Sequence, residues 1–219
     1  LANIVQNFNW TTLLNMLIAL IAALICIIIH EMSHGFVAGL LGDKTAKEMG
    51  RLSLNPLKHI DPIGLLAFVI IGFGWAKPVM INPKNFKNPK RGMAISSLAG
   101  PVSNFIIAVV FMFIMGLIAP YSTQKSFFFL LVSRIVTFSL VLGIFNLVPI
   151  PPLDGSKVLY SIASDELWQK LMMYERYGFI LLLVLVMIPA TSNLLLKATQ
   201  AVFEWLLPIA NFAVHLTGH

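Results

Sequence analysis

The pentapeptide His30-Glu31-Met32-Ser33-His34 closes an apolar run that starts at Leu13 and holds one strongly polar residue, Asn15. Such a run favours a helix able to enter a membrane, where the polar cluster at its end must be partnered or solvated. On a helix His30 and His34 stand one turn apart on the same face, so both rings reach one tetrahedral metal ion. Glu31 lies about 100° round the axis. That places it beside such an ion rather than on it, where a general base for a water nucleophile belongs. The plain alternative, a polar helix end dipping into lipid headgroups, gives these residues no chemistry. The metal reading requires a third ligand elsewhere in the chain.

Of the 219 residues, 58% are hydrophobic and 11% charged. Soluble domains carry roughly a quarter charged residues, so the chain reads as an integral membrane protein. The net charge of +6 comes from 15 Lys and Arg against 9 Asp and Glu. In a membrane protein this excess marks cytoplasmic loops and anionic lipid, and no nucleic-acid partner is expected. The single cysteine, Cys26, excludes an intramolecular disulfide. It stands one turn before His30, where a thiolate ligand is conceivable, although a small buried hydrophobe is its ordinary role. No basic segment follows Leu1, so no cleavable signal peptide is expected.

Trp10-Thr11-Thr12 offers an interfacial aromatic and an N-cap for a first helix that can continue to Leu41 and stop at Gly42. Lys44, Lys47, Arg51 and Lys58 follow it and no basic residue precedes it, so the metal-bearing end faces the cytoplasm. The alternation in 50–56 predicts a short strand, as does Val79-Met80-Ile81 between Pro78 and Pro83. The apolar piece from Ile63 to Trp75 is too short to span and contains three glycines, which predicts a re-entrant or partly extended segment. Lys84, Lys87, Lys90 and Arg91 read as a solvated cytoplasmic loop. Met93–Ala119 and Phe127–Val148 are the second and third spans, and Arg134 in the third can snorkel outward. Leu171–Ile188 reads as a fourth, ending at Pro189. In the last segment, 194–213, Lys197, Gln200, Glu204 and Asn211 form one polar stripe, which suits an interfacial helix or a span facing a polar interior.

The third span breaks at Pro149-Ile150-Pro151-Pro152-Leu153-Asp154-Gly155. A broken helix at depth is tolerated where it lines a polar cavity, and a carboxylate there demands a partner. Two crossings after His34 return Asp154 to the side of the histidines, so it is the favoured third ligand, ahead of His59 and Asp61. Two imidazoles and one carboxylate leave a fourth position open, as in catalytic rather than structural zinc sites.

Three motifs now carry a resemblance: His30 to His34, the G-x-x-x-N pattern at Gly100 to Asn104, and N-x-x-P-x-P-x-L-D-G from Asn146 to Gly155. Over roughly residues 13–159 the chain resembles the site-2 protease family of intramembrane zinc metalloproteases, in a minimal prokaryotic form without PDZ or CBS domains. The resemblance implies zinc held by His30, His34 and Asp154, and Glu31 as catalytic base. It also implies that Asn146 positions the substrate or stabilises the oxyanion. The expected fold is an all-α polytopic membrane protein. Residues 1–160 would form a catalytic core of three transmembrane helices with short strands, and 161–219 one or two further helices completing the membrane domain. The expected setting is the prokaryotic cell membrane, among lipids, with transmembrane protein substrates. Since a helical substrate must unwind before its carbonyl can be attacked, Val79, Met80 and Ile81 are expected to receive it as an added strand. Two rivals are a metal- or proton-coupled transporter or channel, and a catalytically silent binder of membrane partners.

Overall fold

The computed structural model describes residues 10–71, 75–124 and 126–218; the segment before Trp10, the glycines Gly72 and Gly74 and the terminal His219 lie outside them. Helix α1 runs Trp10–Leu40. It ends where Gly42 takes a φ of +110°, the left-handed conformation that glycine adopts most cheaply. There the Asp43 amide donates to the Ala38 carbonyl and the Gly42 amide to Gly39, a Schellman closure. Helix α2, Thr45–Glu48, is one turn, and α3, Pro62–Ile71, has ten residues. At 1.5 Å per residue, α3 is about 15 Å long and cannot cross a bilayer. Gly64 lies so close to the Trp75 backbone that a Cβ there would fall 2.0 Å from its carbonyl oxygen. Gly64 and Trp75, near the two ends of the expected re-entrant piece, are therefore in contact, and residues 72–74 of that piece lie outside the described residues.

Helix α4 spans Pro89–Ile118, with Pro89 in its first turn and the Asn88 side chain accepting from the Arg91 amide. Helix α5 spans Phe127–Asn146 and is capped by Ser126. Helices α1, α4 and α5 are the three among the described residues that are long and apolar enough to cross a membrane. They meet around buried Ala22, Cys26, Ile107 and Ile135. The Cys26 thiol faces Ser139 Oγ at 3.2 Å, towards α5.

The remaining helices are α6, Asp154–Ser161; α7, Asp165–Tyr174; α8, Gly178–Met187; and α9, Pro189–Leu216. The fourth span expected over 171–188 is not one helix. It is divided by a 3-10 turn at Glu175–Tyr177, and Gly178 is wedged against Pro151, where a Cβ would fall 2.7 Å from the Pro151 carbonyl carbon. Helix α9 lies along α4 in the same direction. Leu206 and Ala210 pack with Ala108 and Met112, Gly116 abuts the Ala210 carbonyl, and the Tyr121 hydroxyl donates to the Thr217 carbonyl. Its buried residues are Thr199, Leu206, Ala210 and Ala213, whereas Lys197, Gln200, Glu204 and Asn211 lie on its exposed face. The stripe does not face the interior of this chain.

The two expected strands also require correction. Neither 50–56 nor 79–81 forms a strand among the described residues, which show a 3-10 turn at Pro56–Lys58 and one isolated antiparallel bridge, Ile60 with Ala76. Prolines 56, 78 and 83 remove ladder donors. The Val79 amide is taken by the Glu31 carboxylate, and the Arg51 guanidinium bonds the carbonyls of Lys58, Lys77 and Pro78 just outside both segments.

Candidate active site

Helix α1 carries His30 and His34 on one face, with ring centroids 4.6 Å apart. Helix α6 begins at Asp154, which reaches both rings because the chain folds tightly after α5. Gly155 sits where a Cβ would fall 2.2 Å from the Leu147 carbonyl oxygen. One carboxylate oxygen, Asp154 Oδ2, lies 3.2 Å from His30 Nε2 and 3.2 Å from His34 Nε2. All three side chains are largely buried. The Asp154 Oδ1 atom lies 3.9 Å from Lys157 Nζ, and Lys157 in turn meets Glu175 at 3.4 Å.

The hydrogen bonding on the far side of each ring decides what this cluster is for. His34 Nδ1 lies 2.8 Å from the Ser96 carbonyl oxygen. A carbonyl only accepts, so Nδ1 carries the proton and, in the neutral ring, Nε2 presents a bare lone pair. That lone pair points at a carboxylate oxygen which receives no hydrogen bond. Two acceptors converge on one point, an arrangement that a cation between them relieves. His30 repeats the pattern through Asn104, whose carboxamide nitrogen is recorded 3.0 Å from His30 Nδ1 while its buried Oδ1 has no partner. Turning the amide over exchanges O and N, gives the orphan oxygen the Nδ1 proton and frees Nε2. The donor set of two neutral imidazoles and one carboxylate fits zinc with an open position.

Helix α4 supplies both supports and approaches the rings at Gly100. A Cβ there would lie 2.4 Å from His34 Nε2 and 2.6 Å from His30 Cε1. Glycine at this position is a requirement of the centre itself, which goes beyond the small-residue helix packing that sequence alone suggests. The other candidate ligands are engaged elsewhere. Cys26 faces α5, Asp61 Oδ1 caps α3 by accepting from the amides of Ile63 and Gly64, and His59 donates through Nε2 to the Ser53 carbonyl at 2.7 Å while its unpartnered Nδ1 stands outside the His30, His34 and Asp154 group.

Glu31 is half-buried, and its Oε2 accepts from the Val79 amide at 2.8 Å. It shares with His30 and Asn146 a mostly apolar cleft of about 720 Å³, whose lining also includes His59, Trp75 and Pro78. Asn146 donates through Nδ2 to the Leu142 carbonyl within its own helix. Of the expected docking segment, Val79 is buried and its amide is taken by Glu31, Met80 is exposed, and Ile81 packs beside Ala38, Phe86 and Met93. Sequence reading missed the Ser96 carbonyl, the Val79 amide and Arg51. The first two are main-chain atoms with no residue signature, and Arg51 resembles any loop cation.

A helix-borne histidine pair, a carboxylate from a second element and a neighbouring glutamate, set in a membrane-spanning body, define the zinc metallopeptidase class. Comparison with known proteins agrees. The chain is 38% identical over 206 residues to the "Putative zinc metalloprotease YwhC" of Bacillus subtilis, covering 85% of this chain and 93% of that one. It is 28% identical over 188 residues to the "Putative zinc metalloprotease Rip2" of Mycolicibacterium smegmatis, covering 83% and 71%. With the "Zinc metalloprotease MJ0392" of Methanocaldococcus jannaschii it shares 26% over 142 residues, 65% of this chain and 33% of that one. The model of peptidase family M50 matches residues 119–188, a range that includes Asn146 and Asp154. No solved structure matches the chain significantly. The chain belongs to peptidase family M50 and is a multi-pass membrane zinc metalloprotease.

Proposed function

We propose that this protease cuts peptide bonds within transmembrane segments of other membrane proteins, with His30, His34 and Asp154 as zinc ligands and Glu31 as general base. The observation that carries the reading is the convergence of two imidazole lone pairs and one carboxylate oxygen, with Glu31 one residue away in the same cleft. Zinc held there supplies Lewis acidity, polarising the scissile carbonyl and easing deprotonation of water. Glu31 takes the proton from the attacking water as the new C–O bond forms, then passes it to the amide nitrogen as the C–N bond breaks. Asn146, which lines the same cleft as Glu31, is the proposed contact to the substrate backbone or the developing oxyanion.

Substrate backbone unwound at this depth needs partners for its donors and acceptors. Residues 79–81 remain the proposed docking edge, with the load falling on Met80, since the Val79 amide is already engaged. The cleft's apolar walls suit a transmembrane segment. Residues 1–160 form the proposed catalytic core and 161–219 its completion. The basic residues 44–58 and 84–91 flank the end of the bundle that holds the site, which supports a cell-membrane enzyme with its centre near the cytoplasmic face.

The test is turnover in proteoliposomes carrying a transmembrane reporter substrate. Glu31→Gln should retain zinc and lose cleavage, because Gln is nearly isosteric yet cannot accept the proton. Cleavage at near-parental rate by that variant would overturn the assignment of the base.

A further inference from the structure

Arg51 is 7% exposed, and among the described residues no carboxylate pairs with it. A buried guanidinium without a counter-ion is expensive unless its donors are fully used. Here three contacts to main-chain carbonyls offset that cost. Nη1 donates to Lys58, and Nη2 to Lys77 at 2.5 Å and Pro78 at 3.0 Å. The two chain segments so joined also touch directly, through the Lys77 amide on the His59 carbonyl and the bridge between Ile60 and Ala76.

The last of these carbonyls belongs to the same peptide group as the Val79 amide that donates to Glu31. One rigid planar unit therefore has the guanidinium on its oxygen and the Glu31 carboxylate on its hydrogen. Fixing the oxygen end fixes the direction of the N–H. A cation on the oxygen also polarises the group and strengthens its donation. We propose that Arg51 is a positioning residue for Glu31, acting through the Pro78–Val79 peptide group. It holds Oε2 in place so that the carboxylate is aimed at the water it deprotonates. Lysine cannot substitute, because a single ammonium lacks the planar fork that spans carbonyls from two segments. The proposal rests on the reading of Glu31 as the base.

The experiment compares three enzymes for zinc content, melting temperature, kcat and KM on a transmembrane substrate in detergent. The first is Arg51→Lys. The second carries an ester in place of the Pro78–Val79 amide, introduced as the α-hydroxy analogue of valine, which removes the N–H and also weakens the Pro78 carbonyl as an acceptor for Arg51. The third combines the two. Each single change should leave zinc and KM within about twofold and lower kcat by about tenfold or more. The combination should add little, because both changes break one relay. Parental kcat in the ester enzyme would overturn the proposal, as would additive losses that follow melting temperature and KM, the pattern of a brace. Should Arg51→Lys fail to fold, the ester enzyme decides alone. Failure of the underlying reading looks different: Glu31→Gln would itself remain active.

Discussion

At the residue scale, the centre depends on which nitrogen of each histidine carries a proton. His34 is fixed by the Ser96 carbonyl, and His30 by Asn104. Asn104→Ala should therefore weaken zinc binding by roughly 10- to 100-fold with the fold retained, measured by competition with a chelator. Asn104→Asp distinguishes the two amide orientations. A carboxylate accepts the Nδ1 proton and should hold zinc within a few fold of the parent, whereas severe loss in Asn104→Asp would mean that Asn104 acts as donor. The three proposed ligands were legible as a group because the i, i+4 histidine spacing and an aspartate after a proline break are chemical signals in side chains. Asn104 was legible only as an amide in need of a partner. The Ser96 carbonyl was not legible at all, since every residue has one.

At the element scale, the joint between α1 and the loop before α4 is held by one carboxylate. Asp43 is buried and accepts from the Thr45 amide and hydroxyl, the Asn82 amide at 2.7 Å and Asn85 Nδ2 at 2.7 Å. Burial disfavours its charge, but hydrogen bonds from Thr45, Asn85 and the Asn82 amide outweigh that and hold its carboxyl below the usual range. A depressed folded value means the contribution is complete above the unfolded carboxyl's pKa of about 3.9 and fades as pH falls through the folded value. Melting temperature should thus decline below about pH 4. Asp43→Asn should remove that site's share of the decline and cost about 1–3 kcal/mol at neutral pH. An unchanged melting temperature at pH 7 would contradict this. The three long helices were legible as apolar runs with caps and stops, and α3 as a run too short to cross. The division of 165–187 was not, because hydropathy cannot register Gly178 packed on Pro151. The strands failed for local reasons: alternation was present in 50–56, but Pro56 has no donor for a ladder and the Val79 amide is taken by Glu31.

At the scale of the whole molecule, the structure gathers both basic loops, the helix pair bearing Ser96 and His34, and the Asp154 turn at one end of the bundle. The account predicts the topology directly. In a Cys26→Ser background, a cysteine at Lys87 should react with a membrane-impermeant maleimide only after permeabilisation, and one at Thr123 should react from outside. The reverse pattern would place the centre on the other face. The resemblance to site-2 proteases anticipated this assembly because its three motifs stand on three segments that meet at one point.

The central claim, that two imidazoles and one carboxylate hold the zinc, is tested most directly by X-ray absorption at the zinc edge of the purified, zinc-loaded protein. The account predicts a shell of nitrogen and oxygen atoms near 2.0–2.1 Å, with outer scattering from two imidazole rings and no sulfur. A zinc–sulfur distance near 2.3 Å, as Cys26 would give, or the scattering of a third imidazole, as His59 would give, would contradict it.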